Sequence, residues 1–113
     1  MVAYTTLEAR QELLDTVAEA ANEIGFASAY LAEAYEQLDE QSADRLEQEC
    51  FRPVQQAYGR AKRTHTEFAG RHGLEPAAFD QQPAGLASQG AAVFIQRAVE
   101  AAEAADQIGR AHV

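Results

Sequence analysis

The sequence predicts an all-α fold, an antiparallel up-down bundle of three main long helices completed by homodimerisation. Three observations carry this. Apolar residues recur in alternating steps of three and four. Alanine, the best helix former, supplies 25 of 113 residues. Strand-like alternation and internal repeats are missing from the pattern. The length suits a single helical-bundle domain over residues 1–113.

The first helix opens at a capping box, Thr5-Thr6-Leu7-Glu8, whose hydroxyl and carboxylate can each satisfy a free backbone N–H. Small or apolar residues then follow at Leu14, Val17, Ala21, Ile24, Ser28, Leu31, Tyr35 and Leu38. This seven-residue period runs through Gly25 without a phase break, so one helix is expected from about Thr6 to Asp39. A break at 22–25 is the alternative, since glycine costs about 1 kcal/mol in a helix interior. Ser42 caps a second helix, with Leu46, Cys50, Val54, Ala57, Ala61, His65, Phe68 and His72 on one face. Pro53 removes the hydrogen bond to the Glu49 carbonyl and predicts a kink, or else starts a separate helix. Gly73 can close this helix in a left-handed conformation. Residues 74–83 form the connector, with Leu74 and Phe79 tucked against the bundle end. Pro83 suits the first turn of a third helix that runs to about Gly109.

Charge narrows the function classes. The chain holds 18 acidic and 9 basic residues, a net charge of −9, which repels nucleic-acid backbones and anionic membranes. Residues 1–41 carry nine acids and one base, whereas 42–73 carry four acids and six bases. The first two helices are therefore electrically complementary, as antiparallel neighbours would be. The lone Cys50 excludes an intramolecular disulfide and fits a reducing compartment. The opening MVAYTTLEAR does not read as a leader, and no apolar run reaches the ~18–20 residues of a membrane span, so cytoplasm is the expected location.

Large core formers are scarce: Leu, Ile, Val and Phe total 22 residues. A bundle so rich in alanine buries little area and should be marginal alone, which favours an oligomer. The middle of the first helix, residues 24–32, carries no charge, and Phe26 and Tyr30 project there from an otherwise acidic side. In the third helix Val93, Phe94 and Ile95 point three ways and, with Val99, widen the apolar surface. Phe26, Tyr30, Phe94, Ile95 and Val99 are therefore the candidate subunit interface. An irregular core, or a groove for a partner helix or an apolar ligand, would also use that width.

No catalytic constellation is expected. His65 and His72 lie seven residues apart, too far for one metal, and neither a Glu-x-x-His nor a His-x-x-x-His pattern occurs. Neither a metal nor a cofactor is expected. Both imidazoles should flank the core beside Phe51 and Tyr58, and Cys50 should behave as a small buried hydrophobe. The arginines of the second helix should pair with carboxylates. The preferred reading is a non-enzymatic interaction or structural module that self-associates. The alternative is a small-molecule- or metal-binding bundle of ferritin-like size, in which Gly25 and Ser28 leave space among Tyr30, Tyr35, Tyr58 and His65 for a ligand.

Overall fold

The structure, a computed structural model, describes residues 6–80, 84–85 and 89–111. They are helical almost throughout, with no strand among them. Helix α1 spans Thr6–Gln37 without interruption at Gly25. A two-residue turn leads into α2, Glu40–Leu46, and a π-helical segment, Glu47–Phe51, joins it to α3, Arg52–Arg71. Helix α4 spans Ala91–Ala111. The proposed Thr5 cap and Pro83 lie outside the described residues.

Local chemistry explains the boundaries. Asp39, not Ser42, caps α2: its carboxylate accepts from the Ser42 N–H at 3.1 Å, and that bond holds Asp39 below the usual carboxylate pKa. Pro53 has no N–H for the helical ladder, and the backbone absorbs this by widening into the π segment. There the Arg52 N–H donates to the Glu47 carbonyl five residues back. The rod thus continues instead of ending. Its other end is a Schellman motif, with Gly73 at φ 66° and the Leu74 N–H donating to the Ala69 carbonyl at 2.8 Å.

Helix α1 is the centre of the molecule. Helix α3 lies antiparallel to it, with Gly25 beside Tyr58 and Ser28 hydrogen-bonded to Gln55. Helix α4 also packs along α1, and more extensively than α3 does. Its first turns join Phe94 to Leu31, Ala34 and Leu46, and its last turns reach Ile24. It therefore runs antiparallel to α1 and parallel to α3, which corrects the expected alternation of the third helix. The connector, 74–90, permits this: seventeen residues reach about 55 Å when extended, more than the ~48 Å length of α1. The third helix also begins later than Pro83. Gly85 and Gly90 take φ of 103° and 88°, outside helical space, and α4 starts directly after Gly90.

Packing follows this order. The main core joins Ala27, Leu31, Ala34, Leu46, Phe94, Ala98 and Ala101. Alanines at the α1–α4 contact let the helices come close, and Phe94 fills the space they leave, fully buried. Helices α3 and α4, in contrast, barely touch. The molecule is correspondingly long, 54 × 27 × 23 Å, with a radius of gyration of 16.3 Å against about 13 Å for a compact domain of this length.

Candidate functional site

Because α3 and α4 flank α1 without closing on each other, a groove runs between them. Ile24 and Ala27 of α1 form its floor, Val54 and Ala57 one wall, and Ala102 and Ala105 the other. Its volume is about 540 Å³. At one end Leu46 and Phe94 join in the main core and seal the seam. At the other the groove opens beside Asp106, Gly109 and Arg110, where the Arg110 guanidinium donates to the Asp106 carboxylate at 2.7 Å. The lining is mostly small and apolar, so bulky side chains of an incoming helix could seat between its walls.

A second cavity, of about 390 Å³, lies on another side of α1, between it and α3. Gly25, Ser28, Gln55, Phe51, Tyr58, Lys62 and Phe79 line it. The Gln55 amide donates to the Ser28 hydroxyl at 2.5 Å, and the Lys62 ammonium sits 4.2 Å from the Tyr58 ring centroid. Burial, with the field of Asp80, raises the Tyr58 pKa. A β-carbon at position 25 would stand 3.1 Å from the Tyr58 ring, so glycine permits this approach of α3. Gly25→Ala should be close to neutral or mildly stabilising in thermal unfolding. The gain in helix propensity is about 1 kcal/mol, and the half-buried ring can shift into the cavity. Gly25→Leu should cost about 1–3 kcal/mol by overpacking. Equal stability of the two variants would refute this account of Gly25.

The five residues of the candidate interface separate. Phe94 is wholly covered by its own chain and presents no surface to a partner, a correction to its place in that set. Phe26 and Tyr30 are half-buried and stack at 6.2 Å, with Arg97, Glu100 and Ala101 of α4 beside them. The uncharged stretch of α1 is thus shared between its neighbours, Phe26 and Tyr30 facing α4 and Gly25 and Ser28 facing α3. Ile95 is half-buried against the same core, and Val99 alone stands 51% exposed.

The candidate pocket separates as well. Tyr58 lines the α1–α3 cavity together with Gly25 and Ser28. Tyr35 is exposed near the end of α1, and Tyr30 faces α4. His65 is buried, 1% exposed, with the Phe79 ring edge-on at 4.9 Å, while His72 packs against Phe68 at 4.5 Å. His65 is thus buried on the side of α3 that carries Phe51 and Tyr58, and Phe79 joins it to the cavity that those two line. Neither ring nitrogen of His65 has a hydrogen-bond partner among the described residues. Burial lowers the His65 pKa, against the opposing pull of Asp15. Desolvation lowers that of His72 too, aided by Arg10 and Arg71.

Cys50 is exposed, not buried. The extra residue in the π turn rotates the following face, so Phe51 rather than Cys50 packs against the core. The described residues contain no group of three or more His, Cys, Asp or Glu arranged to hold a metal. No helix among them is long and apolar enough to cross a membrane.

Sequence reasoning passed over two features. One is the α3–α4 groove, because periodicity reports that a face is buried but not against which helix. The other is the partner of Phe79: the sequence places this ring against the bundle end, but no spacing rule identifies His65 as the residue beneath it. Comparison with known proteins finds no matching family model, no similar curated protein and no similar solved structure.

Proposed function

We propose that this chain is a non-enzymatic helical module that self-associates in the cytoplasm, with a helix of a second copy seated in the α3–α4 groove. The observation that carries the reading is the groove itself: two helices flank a third and leave an apolar seam open between them. A helix laid there would complete a four-helix arrangement and cover Ile24, Val54 and the facing alanines.

Charge favours a second copy as the occupant. Helix α3 carries Arg52, Arg60, Arg63 and Arg71 within one ~100° stripe turned away from α1, and none forms an ion pair among the described residues. Glu12, Asp15 and Glu19 of α1 likewise lie on an exposed face without an ion pair. The pairing expected within one chain is thus unmet between these groups. Two copies side by side offer each stripe its opposite, which steers register more than it adds affinity. Leu7, Leu13, Val93 and Val99, each more than a third exposed, provide apolar side chains to a partner.

Sedimentation equilibrium at micromolar concentration tests the reading. The wild type should be a dimer. Ala57→Glu and Ala105→Glu, which place a charge on the groove walls, should weaken it at least about tenfold, or 1.4 kcal/mol, with helicity retained. A wild type that stays monomeric, or a dimer indifferent to both variants, would remove the proposal. A second reading, a small-molecule binder, is favoured by one observation: the α1–α3 cavity combines three aromatic rings with the Ser28, Gln55, Tyr58 and Lys62 polar groups. A small molecule released from purified protein on denaturation would favour it over the first.

A further inference from the structure

We propose that residues 74–80 form a strap latched to the α1–α3 face by Phe79, and that protonation of His65 releases it. The inference is independent of the groove, whose lining shares no residue with this region.

Phe79 is the anchor of the strap on the buried side. Within 75–80 every residue is exposed except Phe79, which is half-buried with its ring edge-on to the His65 imidazole at 4.9 Å and 82°. Leu74, where the strap begins, is held by its N–H bond to Ala69 and supplies a fixed hinge. Phe79 also forms part of two cavities, the one beside Gly25 and Tyr58 and another beside Lys62, Arg63, Thr66 and Glu67. Withdrawing one ring would remove a wall from both.

His65 is the trigger because of what surrounds it. Its nitrogens are shut from solvent, and no described residue bonds to them. A neutral ring tolerates that at moderate cost. An imidazolium carries two N–H donors and a charge, and leaving those unmet in an apolar enclosure costs far more. From α1, Asp15 faces this site and favours the cation, but its carboxylate is exposed and already accepts from the Gln11 amide at 2.9 Å. From α3, Lys62 lies one turn away over Tyr58 and opposes a second positive charge. On the strap, Asp80 follows Phe79 and acts on Tyr58. The easiest relief for a charged His65 is water, and Phe79 is the group in the way.

The chain has no tryptophan, so Phe79→Trp provides a single reporter. Its emission maximum should move to longer wavelength between about pH 7.5 and about pH 5, as the open fraction rises at least tenfold. Wavelength is read rather than intensity, because imidazolium quenches indole. The shift should vanish in the His65→Leu background. Because indole is larger than phenyl, the wild type is also titrated by NMR, where the ring protons of His65 and Phe79 should share one midpoint below the ordinary histidine value. An emission maximum that stays fixed, a shift that survives His65→Leu, or separate midpoints for the two rings would each overturn the latch.

Discussion

Phe94→Ala should be the most damaging single substitution in the chain, costing about 3–5 kcal/mol. Phe94 is fully buried, and four of the six other buried residues of its cluster are alanines, which have no side-chain reach to refill a cavity. A domain of this length at the low end of the usual range holds roughly 6 kcal/mol in all. The substitution therefore removes half or more of the stability and should lower the thermal midpoint by roughly 10 °C or more. Val99→Ala, at a position 51% exposed, should stay within about 0.5 kcal/mol. Both are read by denaturant unfolding followed by circular dichroism. A loss below 1 kcal/mol for Phe94→Ala, or equal losses at the two positions, would contradict the assignment of Phe94 to the core of its own chain.

The second large effect concerns acid. His65 has a pKa below its unfolded value, so the unfolded chain binds the proton more readily. The stabilisation is fully present above about pH 6.5, the unfolded value, and is lost as pH falls through the lower, folded one. The wild type should accordingly lose stability on acidification well before the carboxylate range. His65→Leu should abolish most of that limb. At neutral pH the variant should also gain about 1 kcal/mol, because an unsatisfied buried polar group is replaced by an apolar one of similar size. A remnant of the limb belongs to His72, whose pKa is displaced in the same direction but which is far more solvated. Asp39 contributes only lower, below its ordinary value near 3.8. Urea midpoints measured across pH 4–8 for both proteins decide the matter: parallel profiles would show that His65 is not the group responsible.

Much of this architecture could be read from residue order, and the failures share one cause. Continuity through Gly25, the end at Gly73 and the connector after it follow from local rules: helical period, the left-handed conformation, and capping by side chains. The direction of α4 does not, because the connector is long enough to deliver it either way. Nor does period alone tell a chain's own helix from another subunit's. Phe26, Tyr30 and Phe94 looked like surplus apolar surface for that reason, whereas α1 and α4 spend them on each other. Cys50 was misplaced by a single residue, the one that the π turn inserts ahead of Pro53. Of the candidate pocket, the Gly25–Ser28–Tyr58 part was legible because glycine marks a close approach. The His65–Phe79 contact joins residues of a helix and a connector, and no spacing rule links those.

The parallel course of α3 and α4 has a kinetic consequence. The hairpin of α1 with α2 and α3 turns back through two residues and needs only short-range closure, so it can assemble early. Helix α4 arrives last, after a long loop has closed, yet it supplies Phe94 to the main core. Because α4 follows the hairpin in the chain, Leu31 and Ala34 gain Phe94 as a neighbour only after α4 has been synthesised and has docked along α1.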